Sequence, residues 1–179
     1  AKYLQYISRQ PQGLQQILDR IASRIPGLLK IVPDTTRDRR LLLAFYAQGY
    51  SEPFYQQDMS DGTLKMLAYL LLMEDPEPAP LIGIEEPENG LHHQLLGALA
   101  KEFRDFARKP KGPQVLITTH APNFVDALSP EEVWILDKGA DGFSELVRSA
   151  DIQGVRELYE EGLPMGSLWF SDHFGRGNP

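Results

Sequence analysis

Apolar residues recur at spacings of three and four between Gln12 and Ile25, at Leu14, Ile17, Leu18, Ile21 and Ile25. That spacing predicts an amphipathic helix with one buried stripe. Pro11 suits its first turn and Pro26-Gly27 its end. Leu28 to Val32 predicts a short strand, and Pro33-Asp34-Thr35-Thr36 a turn after it. A second strand is expected from Arg39 to Gln48, bounded by Gly49, and a shorter third one at Phe54 to Gln57, forming a meander. The character then changes. A polar turn, Met59-Ser60-Asp61-Gly62-Thr63, leads into Leu64, Leu67, Ala68, Leu70, Leu71 and Leu72, a helical run that stops at the acidic, proline-rich Asp75 to Pro80.

From there the order alternates. Leu81 to Ile84 is an apolar strand ending in Glu85-Glu86-Pro87-Glu88, and Asn89-Gly90 is a turn. Leu91 to Arg108 is helical, with Leu91, Leu95, Leu96, Leu99, Phe103 and Phe106 on one side. Val115 to Thr119 is a strand with His120 at its end, and Pro122 to Leu128 a short helix that starts on proline. Val133 to Leu136 and Phe143 to Arg148 read as a hairpin about Gly139 to Gly142, and Ile152 to Glu161 as a helix before a Gly- and Pro-containing tail. Such an α/β order, with strands that do not alternate in and out, predicts a mainly parallel sheet covered on both faces. Right-handed crossovers then place Glu85-Glu86 and Thr119-His120 at one sheet edge, the carboxyl ends of the strands, where open α/β sheets bind ligands.

Composition narrows the function classes. The 179 residues carry 18 basic and 25 acidic side chains, a net charge of −7, which argues against a dedicated basic nucleic-acid module. Arg37, Arg39 and Arg40, and Lys101, Arg104, Arg108 and Lys109, are local basic clusters that read as solvated faces. With no cysteine there is no disulfide framework and no thiolate metal or redox site. No apolar run reaches membrane-spanning length and no export signal is evident, so the expected location is the cytoplasm. Neither G-x-x-x-x-G-K-[S/T] nor a strand-to-helix G-x-G-x-x-G occurs, so the sequence holds no phosphate cradle of its own.

Each candidate element has a plain reading when taken alone. Glu85, Glu86 and Glu88 can be a solvated acidic turn, or a magnesium and water-activating site. His120 can be structural, or can donate to a phosphate and orient water. Ser60 to Thr63 can be an ordinary helix cap, or an anion site of hydroxyl, free N–H groups and helix dipole. The adjacent His92 and His93 lack the i, i+4 pairing of a helical metal site.

The combination, in this order, resembles the C-terminal part of ABC-type ATPase domains in the SMC-like, RecF-like and OLD-like branch of predicted AAA ATPases. The likeness runs from about Met59 to Leu136, and residues 1–50 match loosely. Ser60-Asp61-Gly62-Thr63-Leu64 is similar to the signature turn, and Leu81-Ile82-Gly83-Ile84-Glu85-Glu86-Pro87 to the Walker B strand. Glu88-Asn89-Gly90-Leu91-His92 is similar to the D-loop, and Thr118-Thr119-His120-Ala121-Pro122 to the switch histidine. The resemblance implies the C-terminal lobe of a P-loop NTPase: residues 1–58 before the signature turn, a core over 59–150, and a C-terminal helix and tail over 151–179. It implies ATP and Mg2+ as ligands. Glu85 stands where aspartate is usual and would hold the magnesium through water. Glu86 would act on the attacking water, and His120 on the γ-phosphate. Ser60, Asp61, Gly62 and Thr63 would reach a nucleotide held by a second subunit, and Asn89, Gly90, Leu91 and His92 would face that partner.

The implied activity is ATP hydrolysis coupled to dimerisation of two heads, serving DNA repair, DNA handling or anti-phage defence, with DNA touched through the complete protein. The missing phosphate loop is the departure from the family pattern. It leaves a fragment, a split subunit or a degenerate protein as explanations. The start at Ala1 and the intact remaining motifs favour the fragment. A non-catalytic module that contacts another ATPase chain in trans is the alternative function. A metal-dependent hydrolase built on Glu85, Glu86, Glu88 and the histidines is the third.

Overall fold

A computed structural model describes residues 11–35, 38 and 41–176. Arg37, Arg39, Arg40 and Thr36 lie outside the described residues, as do the last three positions of the tail. The chain divides into two compact units, Ala1–Pro78 and Ala79–Pro179, at the proline-rich stretch that ends the leucine-rich helix.

In the first unit, α1 (Pro11–Ala22) packs on an antiparallel meander in the order β1 (Leu28–Thr35), β2 (Leu41–Ala47), β3 (Phe54–Tyr55). The predicted stripe is the buried one: Leu14, Leu18, Ile21 and Ile25 are buried, with Ile31 and Phe45 fully enclosed in the same unit. The expected turn at Pro33–Thr35 is instead the end of β1. Pro33, Asp34 and Thr35 pair with Leu43, Leu42 and Leu41. Among the described residues β1 is an edge strand, and an edge position tolerates a proline because its missing N–H can face away from the ladder. A single-turn 3-10 helix, Gln56–Asp58, then delivers the chain to α2 (Asp61–Met73).

Glu74 caps the far end of α2, where the helix dipole disfavours a carboxylate. Two arginines reverse the balance: Arg20 Nη2 lies 2.7 Å and Arg24 Nη1 3.2 Å from its oxygens. Burial pushes the Glu74 carboxyl up, but the hydrogen bond from Arg20 and the charges of both arginines outweigh it and hold it below the usual glutamate range. A depressed carboxyl contributes stability that is present above its unfolded pKa and lost as pH falls through its folded one. Glu74→Gln is therefore expected to lower the melting temperature by roughly 2–4 °C at neutral pH. The deficit should shrink as pH falls through the ordinary glutamate range and vanish below the depressed folded pKa of Glu74, and a deficit that persists there would contradict the ion-pair account.

The second unit holds a parallel pair, β4 (Leu81–Glu85) and β5 (Gln114–Thr118), joined through α3 (His93–Ala107). Leu96, Leu99, Phe103 and Phe106 bury the predicted face of α3. The expected hairpin forms as β6 (Trp134–Lys138) and β7 (Ser144–Arg148). Two helices shorter than expected, α4 (Pro122–Val125) and α5 (Val155–Glu160), flank it. The Gly- and Pro-containing tail, for which no element was expected, contains α6 (Met165–Phe170), whose Met165 and Leu168 join Val125, Ile135, Val155 and Phe174 in one core. Gly166 allows α6 to approach α4: its N–H donates to Asp126 at 2.8 Å, and a Cβ there would collide with the Pro122 carbonyl oxygen.

The fold is mixed α/β, but two features of the expected sheet differ. The parallel part is the β4–β5 pair, beside an antiparallel meander and an antiparallel hairpin. Nor are both faces covered. Exposure alternates along β4 and β5, leaving Leu81 and Leu116 exposed on one face. A parallel pair with one face open to water, Leu81 and Leu116 among its residues, lacks the cover that such strands normally have. Among the described residues no helix is long and apolar enough to cross a membrane.

Candidate functional site

The parallel register sets Glu85 directly opposite Thr118, so both strands end level. Beyond them the two chains stay tied. The Glu86 N–H donates to the Thr118 carbonyl at 2.9 Å, and the chain then turns sharply through buried Pro87. Glu86 makes this turn with φ at +41°, a left-handed value that costs a non-glycine residue about 1–2 kcal/mol. Asn89 N–H closes the turn on the Glu86 carbonyl at 3.1 Å, and Leu91 N–H closes a second one on the Glu88 carbonyl at 2.9 Å. Gly90, at φ +78°, serves that second turn.

The strained backbone sends the Glu86 side chain toward the end of β5. Its Oε2 accepts from the Asn89 side-chain amide at 2.7 Å, and its Oε1 stands 3.8 Å from His120 Nε2. Both groups face water: the His120 side chain is 79% exposed and Glu86 43%. That separation is beyond a direct hydrogen bond and leaves both groups able to reach a third molecule. Glu85 is exposed at the end of β4.

Glu88 behaves differently. Its Oε1 accepts from Thr119 Oγ1 at 2.8 Å and from the His120 N–H at 2.7 Å. Its Oε2 is buried and without a hydrogen-bond partner among the described residues. The sequence alone does not reveal this tie: it offers Glu88 as a third carboxylate of the acidic turn and as the start of the D-loop-like segment. The only signal for it was a Thr-Thr-His run after one strand and a third carboxylate after another. Periodicity says nothing about such a cross-strand contact.

His92 caps α3, its Nδ1 accepting weakly from the Gln94 N–H at 3.4 Å, and its ring stacks on His93 with centroids 4.2 Å apart. Among the described residues no three His, Asp or Glu side chains form a metal-binding group. Glu88 Oε1 is committed to Thr119 and His120, and the described residues give the hydrolase alternative no group of three ligands. Magnesium in a nucleotide site asks for less. It keeps several waters and takes one or two carboxylates plus the substrate phosphates, and a single exposed carboxylate at a strand end fits that donor set.

The signature-like turn belongs to the first unit. Ser60 caps α2, its Oγ accepting from the Thr63 N–H at 3.2 Å and lying 2.9 Å from Thr63 Oγ1. Ser60 and Asp61 are exposed and Gly62 and Thr63 half-buried. The basic cluster on α3 is spent internally in part. Arg104 donates to the Ala127 carbonyl at 2.6 Å, and Arg108 pairs with Glu132 at 2.7 Å.

β5 pairs with β4 on one side, and β6 with β7, but β5 and β6 are not bonded to each other. A cleft of about 830 Å³ lies along both strands, lined by Val115 and Ile117 on β5 and by Trp134 and Leu136 on β6, and reaching His120.

Residues 1–126 match the model of a family described as "AAA domain, putative AbiEii toxin, Type IV TA system". The match reaches back beyond Met59 and includes the N-terminal helix and meander, where the sequence resemblance was loose. No curated protein matches the sequence. Solved structures similar in fold include three SMC ATPase heads. One, described under ATP-driven dimerization and DNA-stimulated activation of SMC ATPases, has a TM-score of 0.59 at 14% identity, covering 89% of this chain and 94% of that one. A second is the Smc head bound to the C-winged helix domain of ScpA, with TM-score 0.59, 15% identity, and coverage of 78% and 43%. The third is the Smc head domain with an extended coiled coil bound to the C-terminal domain of ScpA, from Pyrococcus furiosus, with TM-score 0.55, 15% identity, and coverage of 84% and 37%. The chain thus spans nearly all of the first and less than half of the other two.

Proposed function

Because the chain belongs to this AAA-domain family and has the fold of an SMC-like ATPase head, we propose that it is the Walker B, signature and switch-histidine part of an ATP-hydrolysing head. The observation that carries the reading is the convergence of Glu86 and His120, 3.8 Å apart and both open to solvent, at the carboxyl ends of two parallel strands.

The reaction is in-line attack of water on the γ-phosphate of ATP. Glu86 orients that water and accepts its proton, with Asn89 fixing one carboxylate oxygen so that the other faces the water. His120 donates from its ring to a γ-phosphate oxygen as charge builds there. Glu85 would hold Mg2+ through water, and the ion supplies charge neutralisation on the phosphate oxygens.

A phosphate-loop-bearing lobe completes the site, and the cleft between β5 and β6 is its seat. Among the described residues both flanking strands have an unpaired edge, and Val115, Ile117, Trp134 and Leu136 give the cleft apolar walls along the strands. An extended strand in that gap would join β4–β5 to β6–β7 in one sheet, and a covering helix would bury Leu81 and Leu116. The lobe comes from the same reading frame or from a separate chain. Two completed heads then sandwich nucleotide, Ser60 to Thr63 and Asn89 to His92 facing the partner. The setting is cytoplasmic, and DNA repair, DNA handling or anti-phage defence is the process served.

The test is nucleotide binding. Residues 1–179 alone should show no binding of a fluorescent ATP analogue at micromolar concentration, because most phosphate contacts are absent. The protein completed by a phosphate-loop lobe should bind and hydrolyse ATP with magnesium. Tight binding and turnover by residues 1–179 alone would refute the composite site. A completed protein that binds nucleotide without turnover would favour the non-catalytic module acting in trans.

A further inference from the structure

We infer that Glu88 is a positioning residue that fixes His120 through its backbone; this rests on the switch role proposed for His120. The His120 ring is almost wholly in solvent, and its described contact is the 3.8 Å approach to Glu86. A ring so placed cannot set its own position. The backbone beneath it can. One Glu88 oxygen takes the His120 N–H at 2.7 Å and the Thr119 hydroxyl at 2.8 Å. These are short, charge-assisted bonds, the strong kind. The Thr119 hydroxyl, while donating its hydrogen bond to Glu88, accepts one from the Ala121 N–H at 3.1 Å. The Ala121 carbonyl in turn receives Phe124 N–H at 3.0 Å and Val125 N–H at 3.3 Å, which starts α4. A single carboxylate therefore anchors the whole segment from Thr119 to the first turn of α4.

Two further observations argue against a casual contact. The second Glu88 oxygen is buried without a partner among the described residues, a cost that a residue present for solubility would not carry. Glu88 also stands only two residues after Glu86 in a turn held by its own backbone bonds. The carboxylate that acts on water and the imidazole that faces phosphate are thus referenced to the same rigid turn. Misplacing a catalytic group by an ångström can cost about a hundredfold in rate, so a tie of this kind governs turnover without touching substrate.

The experiment uses the complete ATP-hydrolysing protein. Glu88→Leu should lower kcat by about 10–100-fold while KM changes little, because the groups that bind substrate remain. Glu88→Gln keeps an acceptor oxygen of the same reach and should retain kcat within about threefold, while Thr119→Val, which removes one of the two donors, should fall between. In parallel, hydrogen exchange at the His120 amide should be about tenfold faster in Glu88→Leu than in the unaltered protein or in Glu88→Gln. Equal losses in the Gln and Leu variants would overturn positioning by hydrogen bonding, as would a normal kcat in Glu88→Leu. Where Glu88→Leu fails to fold, Thr119→Val decides, and unchanged kcat and His120 exchange in that variant would sink the inference. If His120→Ala turns over normally, it is the switch role that falls; the exchange measurements still judge the tie itself.

Discussion

Glu86→Gln in the completed protein is expected to reduce ATP turnover by about 10²–10⁴-fold, the range for removal of a positioned general base. The substitution is nearly isosteric, so the Asn89 bond at 2.7 Å and the turn that carries it survive. What is lost is the basicity of the oxygen that faces His120 at 3.8 Å. Nucleotide binding should persist or tighten, since a carboxylate near the γ-phosphate repels it and an amide does not. Nucleotide-bound dimers should then accumulate, because the step that releases them is blocked. Steady-state phosphate release measures the first effect, and sedimentation with ATP and magnesium the second. Turnover within a few-fold of normal would remove Glu86 from the role assigned here. Loss of nucleotide binding along with turnover would point instead to collapse of the φ +41° turn, and a melting curve would separate that case.

The parts of this site that local sequence carries were legible. Ser60 to Thr63 before a leucine-rich run gives a cap and a helix, because capping acts within one turn of chain. Two apolar runs ending in Glu85-Glu86 and Thr118-Thr119-His120 gave the parallel pair and the shared edge, since a crossover leaves few other arrangements. The features that depend on distant partners were not legible. Pro33 to Thr35 read as a turn because local composition said so, whereas pairing with Leu41 to Leu43 at a sheet edge decides it. α6 was lost in a tail rich in glycine and proline. Tertiary packing rather than propensity holds it, through Met165, Leu168 and the glycine-sized gap at Gly166. The uniform apolar runs of β4 and β5 gave an expectation of two covered faces, and the structure covers one. That mismatch carries information. A strand sequence records the surfaces that cover it, and Leu81, Leu116, Trp134 and Leu136, apolar yet exposed, are the residues that the proposed completing lobe would cover.

Ser60→Arg separates the two halves of the proposal, because its effect should appear between subunits and not within one. Ser60 is exposed, and the described work of its side chain in its own chain is to accept the Thr63 N–H and to meet Thr63 Oγ1. Removing that cap alone costs about 1 kcal/mol, which Ser60→Ala measures as a control. Arginine adds a long cation to the turn that would close on a partner's nucleotide, and it cannot supply the hydroxyl. Nucleotide binding to a single completed head should stay within about twofold of normal, while ATP-driven association weakens by at least tenfold, or about 1.4 kcal/mol. Turnover should fall with association, and raising the protein concentration should recover part of it. That concentration dependence distinguishes a closure defect from a broken active site, for which dilution is irrelevant. If Ser60→Arg associates and hydrolyses ATP as the unaltered protein does, the turn is a helix cap and nothing more. The site would then lie wholly within the second unit and its completing lobe.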